Sequence, residues 1–116
     1  MKKTDKSKLY LLYFKKIEKI INEIVEEDYN ITPEVLWSSN RRMAVAFCRQ
    51  CIYYTLHKVM GISSNSCGEI LNKDHGTILY GAKKIQDYLD VDPQLGAAVR
   101  SLSKKITDRV EQELFV

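Results

Sequence analysis

Asn72-Lys73-Asp74-His75-Gly76-Thr77-Ile78-Leu79-Tyr80-Gly81-Ala82-Lys83-Lys84-Ile85 is the stretch on which the reading of this chain turns. Asn72 and Lys73 form a tight turn, and Asp74 is a helix N-cap whose carboxylate can accept from the amide of Gly76 or Thr77. Ile78, Leu79, Ala82 and Ile85 recur at helical spacing, so they are expected to bury one face. His75 and Thr77 then project forward from the tip, Tyr80 lies on the same helix, and Lys83 and Lys84 follow two turns on, where phosphates would run. A helix with a core side and a polar tip suits the DNA major groove. There Asp74 can accept from a cytosine amino group, His75 can meet a purine edge, and the Thr77 hydroxyl or methyl can meet a phosphate or a thymine. Lys73, just ahead of the helix, is placed for a phosphate or a guanine.

Outward from this segment the chain reads as all-α. Phe14, Ile17, Ile20, Ile21, Ile24 and Val25 follow the i, i+3, i+4, i+7 pattern and predict a first helix from about Lys8 to Asp28. Thr32-Pro33 sets an N-cap before a proline at the first helical position, which predicts one short helical turn from Pro33 to Trp37. Ser38-Ser39-Asn40 is a loop that ends at Arg41 and Arg42. The next helix is predicted from there to Met60, with Val45, Cys48, Ile52, Leu56 and Val59 buried and Gly61 as its stop. A short helix from about Ser64 to Leu71, the turn at Asn72-Lys73 and the helix to about Leu89 make a helix-turn-helix. Pro93 opens a last helix through about Leu114. In such a unit the second helix enters the major groove while earlier helices approach the sugar-phosphate backbone.

Composition narrows the function classes. The 116 residues make one domain, 1–116, with 1–8 read as a basic tail; no Gly-x-x-x-x-Gly-Lys-Ser/Thr sequence is present to hold a nucleotide. No apolar run spans a bilayer and Met1-Lys2-Lys3 leads into no signal sequence, so a cytoplasmic protein without a membrane partner is expected. The net charge of +3 is mild but blocked: lysines crowd the first twenty residues, Glu23, Glu26, Glu27, Asp28 and Glu34 follow, and Arg41 to Lys58 holds four cations and no carboxylate. That third block is the pattern of a phosphate-facing surface. Cys48-Arg49-Gln50-Cys51 has Cys-x-x-Cys spacing, but inside a predicted helix and without a second pair it reads as structural thiols. No metal and no cofactor are expected.

Asp-His-x-Thr followed by an apolar-periodic run resembles the signature of domain IV of DnaA, the bacterial replication initiator. Arg41-Arg42-Met43-Ala44-Val45-Ala46-Phe47-Cys48-Arg49-Gln50 is similar to that family's basic loop and the helix behind it, and Asp28-Tyr29-Asn30-Ile31-Thr32-Pro33 to the segment leading into the loop. The resemblance covers about residues 14 to 105. It implies a helix-turn-helix bundle of about five to six helices of the DnaA domain IV, Trp-repressor-like kind. It implies a minor-groove contact by Arg41, phosphate contacts by Arg49 and Gln50, and base reading by the run Lys73-Asp74-His75-Gly76-Thr77. Arg42, Ser64, Asn65, Tyr80 and Lys83 complete the expected DNA-binding set. Gly76 replaces a family threonine or serine, the turn before Lys73 is one residue shorter, and Ser64-Asn65 replaces a Leu-Pro opening. A preferred sequence different from the initiator's usual box follows.

Three functions compete on these residues. The favoured one is non-catalytic, sequence-specific binding of double-stranded DNA, regulating replication initiation or transcription, in a diverged standalone relative of phage or mobile-element origin. A protein-interaction module that retains the fold without base recognition is the alternative, and a protein partner or homodimer stays open. An enzyme using Asp74 and His75 as an acid-base pair lacks the metal or nucleophile it needs.

Overall fold

The computed structural model describes residues 6–115, which form seven α-helices and one π-helical turn, with no strand among the described residues. Helix α1 (Lys6–Leu12) and α2 (Phe14–Tyr29) replace the single first helix that periodicity predicts. The backbone leaves helical geometry at Tyr13 (φ −114°, ψ 29°), so α1 departs from the α2 axis and packs against a later helix, burying Tyr10. Ile17, Ile20, Ile21, Ile24 and Val25 form the buried stripe of α2 as expected; Phe14, the first residue after the break, stays 41% exposed. Of the stretch 1–8 expected as a basic tail, Lys6, Ser7 and Lys8 belong to α1. Ser7 is already buried within α1, and residues 1–5 lie outside the described residues.

Asn30 ends α2 in the left-handed region (φ 56°). Helix α3 (Pro33–Leu36) is a single turn capped by Thr32, whose hydroxyl accepts from Val35 N–H at 3.4 Å. Trp37 follows and donates its indole N–H to Asn22 Oδ1 at 2.7 Å, fastening α3 to α2. Helix α4 (Met43–Tyr54) runs into the π-helical turn Thr55–Val59, closed by Met60 N–H donating to Thr55 O at 2.9 Å. This corrects the reading of one helix to Met60. With 3.6 residues per turn, one extra residue rotates the register by about 100°. Val45, Cys48, Ile52 and Leu56 are buried as predicted, but Val59, the last residue of the π turn, is 48% exposed.

Helix α5 (Ser64–Leu71) and α6 (His75–Val91) form the helix-turn-helix, and Pro93 opens α7 (Pro93–Phe115). The buried stripe of α6 is Ile78, Gly81, Ala82 and Ile85, pressed along α4. Leu79, expected inside, is 44% exposed because it lies one helical step off that stripe. Gly81 is required by the α4–α6 approach: a Cβ there would stand 2.5 Å from Tyr53 Cδ2. Helix α7 closes the core with Val99, Leu102, Ile106 and Val110. Each fully buried isoleucine or leucine of this core is worth about 1.5 to 3 kcal/mol. Across the outer seam, Lys105 pairs with Asp28 at 2.6 Å and Arg109 with Glu23 at 2.9 Å, so part of the acidic block of α2 is matched by α7.

Candidate functional site

The turn between α5 and α6 is built from residues that tolerate its geometry. Asn72 takes the left-handed conformation (φ 55°, ψ 51°), which asparagine visits more readily than most side chains. Lys73 N–H then folds back to donate to Gly68 O at 2.8 Å, satisfying a carbonyl that the ending helix would leave open. Gly68 makes room for this: a Cβ there would lie 2.4 Å from Lys73 O. The turn is thus closed by backbone hydrogen bonds.

Asp74 caps α6 as its spacing predicts, with Oδ2 accepting from Gly76 N–H at 2.9 Å. Its other oxygen, Oδ1, is 3.9 Å from His75 Nδ1, and both side chains are exposed. One carboxylate oxygen therefore orders the helix start and the second remains turned to solvent. His75, Gly76 and Thr77 are exposed beside it, opposite the buried Ile78. At Gly76 the one atom that an added Cβ would meet within 4 Å is Asp74 Oδ2, at 2.9 Å.

Behind the tip, a cleft of about 320 Å³ brings together Arg49, Gln50, Lys73, Thr77 and Tyr80, with Ser38 and Tyr53. Thr77, Tyr80 and Lys84 stand at i, i+3 and i+7 along α6, and Lys84 Nζ lies 5.8 Å from the Tyr80 ring centroid. Lys73 Nζ is 5.7 Å from the Trp37 ring, a cation–π contact that steers the lysine of the turn toward α3. A second hollow, of about 430 Å³, adjoins through Gln50; Arg41 and Lys84 line it above a floor containing Phe47, Tyr88 and Leu95.

The basic loop is held from inside. Ser38 Oγ donates to Val35 O at 2.7 Å and accepts from Asn40 N–H at 3.1 Å, and Asn40 Oδ1 accepts from Arg42 N–H at 2.8 Å. Arg49 is committed to the same loop: Nε donates to Leu36 O, and Nη2 donates to Ser38 O at 2.6 Å and to Val35 O at 3.4 Å. With these bonds the Arg49 guanidinium, expected at a phosphate, is engaged by the backbone of α3 and the loop after it. The guanidinium ties off the C-terminal carbonyls of α3 and fixes where Arg41 and Arg42 emerge. The side chains of Arg41 and Arg42 are exposed and carry no ion pair or hydrogen bond among the described residues.

The other expected positions are more scattered. Ser64 and Asn65 open α5 behind Ser63, whose hydroxyl accepts from Ser66 N–H at 3.2 Å, and they do not line the cleft. Lys83 pairs with Asp87 at 2.6 Å, one turn further along α6, and this also raises its pKa through the hydrogen bond to that carboxylate. The cysteines are buried, and burial pushes Cys48 up to about 11 and Cys51 and Cys67 up to about 12, so they stand as neutral thiols. His57 uses its Nδ1–H on Ile62 O at 2.8 Å. Residue spacing alone did not reveal Trp37, Ser38 or Asn40. The signal for the last two was their place in a polar Ser-Ser-Asn run, where side chains bond nearby backbone.

A family model described as the bacterial DnaA protein helix-turn-helix matches residues 17–85. Among curated proteins, the chain is similar to the chromosomal replication initiator protein DnaA of Lachnoclostridium phytofermentans, 31% identical over 75% of this chain and 19% of that protein. It is similar also to the DnaA of Deinococcus radiodurans, 28% identical over 77% of this chain and 19% of the relative. For the DnaA of Caldanaerobacter subterraneus subsp. tengcongensis the identity is 32% over 76% of this chain and 20% of the relative. The chain thus spans about a fifth of the length of the curated relatives it matches. No solved structure matches it. With the match running from the buried stripe of α2 to Ile85 of the second helix of the helix-turn-helix, the chain belongs to the bacterial DnaA helix-turn-helix family.

Proposed function

We propose that this chain binds double-stranded DNA in a sequence-dependent way, with the tip of α6 in the major groove and Arg41 reaching the adjacent minor groove, and that it acts in replication initiation or in transcription control. The observation that carries the reading is the division of α6. Ile78, Ala82 and Ile85 are buried against α4, while Asp74, His75, Gly76 and Thr77 stand exposed at the capped tip. A recognition helix needs this division, since its N-terminal residues meet base edges while its far side anchors the domain. Family membership supports the same reading, as do the cations on either side of the tip: Lys73 on the Trp37 ring and the unpaired Arg41 and Arg42.

Roles follow from position. Asp74 can offer a base only Oδ1, because Oδ2 is held by Gly76 N–H. His75 is the exposed side chain beside it that can both donate and accept. Gln50, Thr77 and Tyr80 face the cleft and take phosphate or sugar contacts; Lys83 and Lys84 follow the strand further along. Ser64 and Asn65 offer polar groups to the backbone where α5 crosses it. No catalytic step is assigned to the Asp74–His75 pair, and no nucleotide or membrane ligand.

The test is selection of bound duplexes from a random pool with the intact chain, repeated with His75→Ala and Arg41→Ala. The expected result is a defined consensus whose information falls at one or two positions in the first variant. In the second, preference for flanking A·T pairs with a narrow minor groove should weaken. Absence of any enriched sequence with the unaltered chain would overturn base reading and leave an interaction module on the same fold.

A further inference from the structure

Helix α1 lies N-terminal to the matched segment 17–85 yet is tied directly to the helix-turn-helix. Ser63 N–H, at the entry to α5, donates to Ser7 Oγ at 3.3 Å. One residue earlier in the same loop, Ile62 O accepts from His57 Nδ1–H at 2.8 Å. The approach to α5 is therefore pinned between α1 on one side and the π-helical turn on the other. Each anchor is followed in sequence by an exposed lysine, Lys8 after Ser7 and Lys58 after His57, and neither has a carboxylate partner among the described residues.

Three lysines elsewhere in the fold, Lys83, Lys104 and Lys105, do pair with carboxylates, those of Asp87, Asp108 and Asp28. Around the start of α5 such a pairing has little to draw on. No Asp or Glu occurs between residues 6 and 17 or between Arg41 and Gly68. Cations without a carboxylate partner on two separate segments, each next in sequence to a residue hydrogen-bonded to the entry loop of α5, suit a polyanion rather than a self-neutralised face.

We propose that this corner is a second phosphate-binding point, at which Lys8 and Lys58 flank the start of α5 and hold the sugar-phosphate backbone beyond the base-reading segment. It rests on the reading of α6 as the base-reading helix, because α5 then crosses the backbone and brings its entry loop against the strand. Lys8 and Lys58 add affinity without adding sequence information, and they lengthen the stretch of duplex that the chain covers.

The test is a salt titration of binding by fluorescence anisotropy, using the intact chain and a duplex recovered from the random-pool selection. Each neutralised phosphate contributes about 0.9 to the slope of log affinity against log salt, so the double variant Lys8→Gln, Lys58→Gln is expected to lose about 1.8 from that slope. Base preference should stay as it was, and the paired change to arginine should restore the slope. As a control, Lys104→Gln on α7 should leave the slope unaltered. A double glutamine variant that binds with the original slope would overturn the proposal while leaving DNA binding intact. An unaltered chain that binds no duplex at low salt would instead remove the DNA reading itself, and this corner with it.

Discussion

Arg49→Met removes a guanidinium while keeping most of the side chain's length and packing, and it separates two roles that the sequence alone runs together. In the structure the guanidinium donates to the carbonyls of Val35 and Leu36, which end α3, and to that of Ser38 in the loop beyond. The bond to Leu36 O is part-buried and charge-assisted, worth about 1.5 to 3 kcal/mol. The bond to Ser38 O is exposed and water can replace it, so it adds less. The Val35 contact at 3.4 Å is long and adds least. The expected loss is about 2 to 3 kcal/mol, read as a lower urea midpoint at unchanged m, or as a fall in Tm of roughly 10 °C or more. DNA affinity should fall as well, because Arg41 and Arg42 leave a loop that Arg49 no longer holds. If instead the variant is within about 0.5 kcal/mol of the parent in stability while its salt slope drops by about one, Arg49 is a phosphate ligand and the reasoning from the loop fails.

Gly81→Ala would push a Cβ to 2.5 Å from the Tyr53 ring, between the two helices that form the centre of the fold, and should cost about 1 to 3 kcal/mol by chemical denaturation. In Gly76→Thr the new Cβ meets only the flexible Asp74 carboxylate, so stability should change by less than about 1 kcal/mol while the selected consensus shifts at a single base pair; an unchanged consensus would place Gly76 away from the bases. Burial raises the Cys51 and Cys67 thiols from 9.0 to about 12, so the unfolded chain releases these protons first. The stabilisation is therefore whole below pH 9 and is lost as pH rises toward 12. Urea midpoints at pH 8 and pH 10.5 should fall less far in a Cys51→Ala, Cys67→Ala chain than in the parent, and equal falls would refute the assignment.

Much of this protein is written in local chemistry. Asp74 as the cap of α6, Thr32 with Pro33 at the start of α3, and the isoleucine stripe of α2 each depend on residues a few positions apart, and all stand where spacing puts them. Ser64–Leu71 is bounded as read, because a serine cap and an asparagine stop mark its ends. Tertiary packing decided the rest. The break at Tyr13 sends α1 to α5, and the π turn at Thr55–Val59 carries Val59 out to solvent; neither has a residue-level signature, because each is a choice among nearly equal backbone hydrogen-bond patterns settled by what lies alongside. Leu79 fits the apolar period yet lies outside, since the width of a buried stripe depends on how closely α4 approaches at Gly81. Arg49 is the clearest case. An arginine in a basic stretch has the same charge whether it faces a phosphate or a carbonyl, and only the return of α3 to within hydrogen-bond reach, at a separation of more than ten residues, makes it a brace of the loop.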